Sequence, residues 1–196
     1  MVELEKALKL LLRSGELKKI RRTGWVLHNV PHPESVAEHS FRVALMAFAL
    51  ADELGADRNR MVKMALIHDL GESVIGDIPV GRADYATKPA METAAMKELS
   101  GLFANRKEFL ELWDEYETRQ TKEAQLVYEL DKLEMVLQAF EYEREHSMDL
   151  QPFWDGVSEK IRTGEIRNKT LVEFYNLLDE KRKTFKRNKQ SRHSSR

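Results

Sequence analysis

Two imidazoles and two carboxylates stand where a helical sequence has little structural use for them: His39, the adjacent pair His68-Asp69, and Asp131. The pair closes a helix-like run, Met61-Val62-Lys63-Met64-Ala65-Leu66-Ile67, and is followed by Leu70-Gly71-Glu72. Imidazole and carboxylate together suit a divalent ion that keeps open positions for water and substrate. A chain carrying such a site is expected to be an enzyme acting on an ester or a phosphate.

Each of these residues also has an ordinary explanation. A lone His on the first turn of a helix, as His39 is expected to be, is usually structural or surface-exposed. His68 shares a helical face with Met61, Met64 and Ala65, and on its own reads as a hydrogen-bonded core histidine. Asp69 weighs against that reading, because a carboxylate at the end of an apolar helix is costly to bury unless it is paired or binds a metal. Asp131 makes the same point, four residues from Val127 and four from Met135 and beside Leu130 and Leu133. A salt bridge to Lys or Arg is its usual solution. Taken together, two His and two Asp on three helices can converge in a bundle core and hold one divalent ion.

Other residues gather around this set. Glu72 and Asp77 follow His68-Asp69 in the same loop and compete for a general acid/base role. Arg22 suits a bidentate contact with phosphate, and Trp25 can stack on a base. Without that context they are a solvated cation and a core aromatic. Lys88 is a further phosphate candidate. His28 and His32 read as surface groups before they read as groups supporting a metal ligand, and His146 and His193 have no motif around them.

The elements that must position these groups are nearly all helical, rich in Ala, Leu, Glu, Lys, Met and Arg. A first helix is predicted from Glu3 to Arg13, stopping at Ser14-Gly15. A short helical piece at Leu17–Arg21 precedes an irregular stretch, Thr23 to Glu34, that contains Pro31 and Pro33. Ser35-Val-Ala-Glu38 is a capping-box pattern opening the His39 helix, which is predicted to end at Gly55. Asp57 caps the helix that reaches His68-Asp69. A functional loop follows from Glu72 to Lys88. Further helices are predicted near 89–99, 107–116, 118–145, 151–163 and 168–183.

The 196 residues are 42% hydrophobic and 33% charged, with no Cys. That fits one globular domain, residues 1–180, in a cytoplasmic setting, without disulfides or thiolate ligands. The net charge of −1 hides eight Lys/Arg and no acid between Lys181 and Arg196, which leaves the rest near −9 (−1 minus 8). The segment 181–196 is expected to be a disordered basic tail. An acidic body with a basic tail is not the footprint of a dedicated nucleic-acid-binding domain.

The ordered set His39, His68-Asp69 and Asp131 resembles the HD-domain metal-dependent phosphohydrolase superfamily. Arg-Thr-Gly-Trp-Val (22–26), Pro-Glu-Ser-Val-Ala-Glu-His-Ser (33–40), Ile-His-Asp-Leu-Gly-Glu (67–72), Gly-Asp-Ile-Pro (76–79) and Glu-Leu-Asp-Lys-Leu-Glu (129–134) are similar to its 5′-deoxynucleotidase branch. In this chain Thr23 and Gly24 separate Arg22 from Trp25, where some members have the pair adjacent.

The resemblance covers residues 1–180 and implies an all-α, HD-domain helical bundle, often a homodimer. It implies His39, His68, Asp69 and Asp131 as metal ligands, Glu72 and Asp77 in catalysis, and Arg22 and Trp25 near the nucleotide. The implied cofactor is one divalent ion, Co²⁺, Mn²⁺ or Cu²⁺, with Mg²⁺ a further candidate. The implied reaction is water attack on a (deoxy)nucleoside 5′-monophosphate. Other chemistries of the superfamily, on triphosphates, cyclic nucleotides or guanosine alarmones, typically need clustered phosphate-binding cations that the acidic body lacks. The non-enzymatic alternative is a helical module binding nucleic acid or an acidic partner through its tail.

Overall fold

The computed structural model describes residues 2–79 and 85–194. Among them every regular element is helical, with one isolated antiparallel bridge, Arg21 to Ser35, and no strand. The expected all-α class holds. No helix of the described residues is long and apolar enough to cross a membrane. The chain forms two compact units, Met1–Tyr128 and Glu129–Arg196.

The first unit begins with α1 (Val2–Ser14) and a 3-10 turn, Gly15–Lys18. The turn stops earlier than the helical piece expected over Leu17–Arg21. Residues 20–22 are drawn out instead by backbone bonds: Arg22 N–H donates to Glu34 C=O at 3.0 Å, and Val36 N–H to Ile20 C=O at 2.9 Å. This pairing sets Arg22 against the start of the His39 helix. Thr23 to Glu34 is also less irregular than expected, since α2 (Thr23–Leu27) forms within it. Trp25 drives this turn, burying its ring and giving its indole N–H to Glu34 Oε1 at 2.9 Å.

The next two helices lead to three of the four metal-ligand candidates. In α3 (Val36–Leu50) the Ser35 side chain accepts from Glu38 N–H while Glu38 reaches back, the reciprocal cap read from sequence. The helix ends short of Gly55. Asp57 caps α4 (Arg58–Ile67) by accepting from Arg60 N–H. His68 stands at its C-terminal end. Then α5 (Glu72–Ile75), α6 (Lys88–Ser100) and α7 (Arg106–Thr118) follow. The segment predicted as one loop, Glu72 to Lys88, contains α5 and a 3-10 turn at Tyr85–Thr87; its residues 80–84 lie outside the described residues. Leu17, Val36, Leu70, Met96, Leu99 and Phe109 form a buried cluster, with Phe103 stacked on Phe109 at 4.0 Å between ring centroids.

Arg60 fastens α4 to α7 through Glu115, with Nε 2.9 Å from Oε1 and a second N–H on the other oxygen. These bonds, chiefly, hold the Glu115 carboxyl below its ordinary range against the opposing effect of burial. A depressed carboxyl contributes stability that is present above its unfolded pKa and lost as pH falls through the folded one. Arg60→Ala is expected to cost about 1 kcal/mol at pH 7, discounted because Arg60 is half exposed. The cost should shrink toward pH 3, as urea denaturation at the two pH values will read. A pH-independent cost would assign Arg60 a packing role only.

The second unit comprises the remainder of α8 (Lys122–His146), then α9 (Gln151–Arg162) and α10 (Lys169–Ser194). Glu129 caps the approach to α10, accepting from Asn168 N–H at 3.1 Å and Arg167 N–H at 3.3 Å. The basic segment expected to be disordered is helical through Ser194. Lys, Arg and Gln are good helix formers and extend a helix already started. Arg182 within it is buried: it donates to both Glu143 oxygens at 2.6 Å and lies 4.5 Å from the Trp154 ring centre. The folded part of the chain therefore reaches past 180.

Arg182→Ala is expected to destabilise by about 3–5 kcal/mol, the cost of stranding one partner of a buried ion pair. Thermal unfolding by circular dichroism checks it. A loss under about 1 kcal/mol would mean that the pair behaves as a solvated one.

Candidate metal centre

Three side chains of the first unit converge: His39 from α3, His68 from the end of α4, and Asp69 just beyond it. His68 Nε2 lies 3.4 Å from His39 Nε2 and 3.3 Å from Asp69 Oδ2, and His39 Nε2 lies 3.7 Å from the same oxygen. Both imidazoles are fully buried, and Asp69 is largely so. Met61, Met64 and Ala65, which share the His68 face, are completely buried, so the apolar stripe delivers His68 inward as its spacing requires.

The donor set fits a divalent ion. Donors about 2.1 Å from one ion stand about 3.0 Å apart in octahedral geometry and about 3.4 Å apart in tetrahedral geometry. The three separations here fall at or slightly beyond those values. The tautomer fits as well. His68 Nδ1 lies 2.7 Å from Ala65 C=O, and a carbonyl only accepts, so Nδ1 carries a proton and Nε2 is the nitrogen left to face an ion. Tyr116 packs edge-on against the His68 ring, 5.5 Å between centroids.

Charge is concentrated at this point. Arg22 donates to Asp69 Oδ2 at 3.2 Å, the oxygen that also faces both imidazoles. Burial opposes ionisation of Asp69, but His68, Arg22 and His39 outweigh it and hold the carboxyl far below its ordinary range. Glu72 goes the other way. Burial first, then the neighbouring Asp69 and Asp77, push it well above the usual carboxylate range, against the pull of Arg22 and Lys88. Two nearby carboxyls driven apart in this way are chemically able to serve one as permanent anion and the other as proton carrier. Glu72 Oε1 is 3.3 Å from Lys88 Nζ, and its buried Oε2 has no protein partner.

Asp77 is held rather than free. Its Oδ2 accepts from Thr23 N–H at 2.5 Å, and its backbone C=O accepts from the Thr23 hydroxyl at 2.9 Å. Gly76, with φ of 78°, ends α5 and turns the chain to make this clasp. Thr23, one of the two residues that separate Arg22 from Trp25, thus ties the Arg22 segment to the loop after α5. Trp25 is buried and offers no ring face to solvent. Asp131 lies on α8 in the second unit, buried, with Lys132 Nζ 2.6 Å from its Oδ2. His28 is a surface group bonded to Gly24 C=O at 2.9 Å, and His32 is exposed.

Residues that carried no signal in the sequence also matter here. Glu34 receives the Trp25 indole, and Thr23 holds Asp77. Glu92 lies 3.4 Å from Lys88 Nζ, and its spacing of four from Lys88 on a helix was the one clue available.

Comparisons with known proteins bear on the family of the chain. A family model described as an HD domain matches residues 14–169. The protein named 5′-deoxynucleotidase HDDC2 from Homo sapiens is 44% identical over 157 residues, covering 78% of this chain and 76% of its own length. A solved structure of a conserved hypothetical protein from Pyrococcus furiosus superposes with a TM-score of 0.74 at 37% identity, covering 90% of this chain and 99% of that one. Another, titled a predicted metal-dependent phosphohydrolase from Magnetospirillum magnetotacticum, gives a TM-score of 0.72 at 29% identity, with 92% of each chain covered. With the imidazole–carboxylate cluster in place and most of its length matched by the family model, the chain belongs to the HD-domain family.

Proposed function

We propose that this protein is a divalent-metal-dependent 5′-deoxynucleotidase, hydrolysing (deoxy)nucleoside 5′-monophosphates to nucleoside and inorganic phosphate. The observation that carries the reading is the meeting of His39 Nε2, His68 Nε2 and the Arg22 guanidinium at one oxygen of Asp69. That is a cation site with a phosphate-binding cation beside it. The 5′-deoxynucleotidase name shared by relatives supports the substrate class.

His39, His68 and Asp69 would hold the ion. Asp131 is proposed as a fourth ligand on its chemistry, a buried acid in an apolar stretch of α8. When bound, a divalent ion there acidifies water and neutralises phosphate charge. The set mixes two imidazoles with two carboxylates, and Co²⁺, Mn²⁺ or Cu²⁺ is proposed to occupy it, with Mg²⁺ a further candidate. Arg22 binds the phosphoryl oxygens and stabilises their charge in the transition state. Glu72, with its carboxyl held high and one oxygen without a protein partner, takes the proton of the attacking water. Asp77, fixed by Thr23, orients the 5′-oxygen side of the substrate. Lys88 supplies a second phosphate-facing cation. Trp25 acts on the substrate only through the segment that it anchors.

A homodimer is proposed as well. Phe41, Leu45 and Phe48 form an exposed apolar stripe on α3 at a spacing of four and three, which a second copy would cover.

The test is phosphate release from a panel of deoxy- and ribonucleoside 5′-monophosphates, using protein stripped with chelator and reloaded with Co²⁺, Mn²⁺ or Mg²⁺. Light scattering on the same preparation reads the oligomeric state. Metal-dependent release from deoxynucleotides is expected. Release only from triphosphates or cyclic nucleotides would overturn the monophosphate assignment.

A further inference from the structure

We infer that Glu92 is a positioning residue of this site: its carboxylate holds the Lys88 ammonium beside Glu72, where the ammonium meets the phosphoryl group of the substrate. The inference rests on the phosphomonoesterase reading above.

Lys88 opens α6. A cation at a helix N-terminus is disfavoured by the helix dipole, so the local backbone gives Lys88 no reason to be ordered there. It is nevertheless held. Its Nζ sits between Glu72 Oε1 at 3.3 Å and Glu92 Oε1 at 3.4 Å. The Lys88 and Glu92 side chains are only 20% and 21% exposed. Burial works against the charged amine, but Glu72 and Glu92 outweigh it, with Asp69 and Asp77 adding to their pull.

The four carboxylates are not equivalent. Glu72, Asp69 and Asp77 all belong to the segment that builds the proposed catalytic site. Glu92 alone stands on α6, one turn along from Lys88. A flexible four-carbon side chain facing only the first three would fold onto them and neutralise the anions that the site needs. Glu92 counters that pull and keeps the ammonium at the edge, available to an incoming phosphate. A Lys is a strongly hydrated point charge with freely turning donors, so a second anchor is what gives it a fixed position.

The experiment uses the full chain with Glu92→Gln, Glu92→Asp, Lys88→Gln and the Glu92→Gln/Lys88→Gln double variant. In metal-stripped protein, acetylation of Lys88 by a limiting amine reagent is followed by mass spectrometry. Its rate should rise about threefold to tenfold in Glu92→Gln, the change given by half to one unit in the amine pKa, with Glu92→Asp in between. Under metal-loaded turnover of a deoxynucleoside monophosphate, Glu92→Gln should raise KM about fivefold with kcat nearly unchanged, and the double variant should be no worse than Lys88→Gln. An unchanged Lys88 acetylation rate overturns the inference whatever the activity. So does a double variant whose effects simply add. If no monophosphate is hydrolysed by the unmodified protein, the functional reading fails separately, and the acetylation rates still decide whether Glu92 holds Lys88.

Discussion

Asp69→Ala is expected to bind Co²⁺ or Mn²⁺ far more weakly and to lower kcat/KM for a deoxynucleoside monophosphate by about 10³-fold or more, the equivalent of several kcal/mol of transition-state charge stabilisation. The reason is that one oxygen serves three partners. Asp69 Oδ2 faces His39 Nε2, His68 Nε2 and the Arg22 guanidinium, at 3.7, 3.3 and 3.2 Å. Removing it takes away the anionic donor, leaves two imidazole lone pairs 3.4 Å apart with no charge to bring a cation between them, and frees Arg22 from its partner. Asp69→Asn separates these effects. The amide keeps the shape and one neutral oxygen, so the helix end and Arg22 should stay in place while metal affinity still falls. Calorimetric metal titration of both variants, beside phosphate release, is the measurement. Full metal affinity in Asp69→Ala would show that Asp69 is an ion-pair partner of Arg22 and not a ligand.

How much of this could be read from residues alone follows the range of the forces involved. The helix starts were legible because caps are local: Ser35 with Glu38, and Asp57 with Arg60, lie within one turn. The approach of His39 to His68-Asp69 was legible because buried imidazole and carboxylate need a common partner, whatever the path between them. The extended pairing of residues 20–22 with 34–36 was not, since its partners lie across an excursion containing two prolines and no β-branched run marks it. That pairing ends the predicted helix before Arg21 and places Arg22. The Thr23–Asp77 clasp spans 54 positions and uses backbone groups that every residue has. Trp25 could be a stacking platform or a core ring by residue type, and only its burial against Glu34 decides between them. The helix through the basic segment was not legible from composition, because Arg182 near its start is held by Glu143 on another helix.

Glu72→Gln is expected to leave metal affinity intact while lowering kcat by about 10²- to 10⁴-fold, the usual contribution of a positioned general base. Glu72 is buried at the start of α5, with one oxygen on Lys88 and the other without a protein partner. A glutamine keeps the volume and can still accept from Lys88, so folding and substrate binding should persist, but it cannot take a proton. The pH profile carries the sign. A base acts in its ionised form, so kcat/KM of the unmodified enzyme should rise with pH as Glu72 loses its proton. Burial and the neighbouring Asp69 and Asp77 raise that carboxyl, which places this limb above the range of an ordinary glutamate. In Glu72→Gln the limb should vanish, leaving a flat, low profile over the same interval. Asp77→Asn serves as the contrast. Asp77 Oδ2 accepts from Thr23 N–H, and an amide oxygen accepts more weakly than a carboxylate, so the substitution should loosen the Arg22 segment and raise KM while the acid limb survives. If the limb disappears in Asp77→Asn and persists in Glu72→Gln, the two acids exchange roles, and Asp77 is the base.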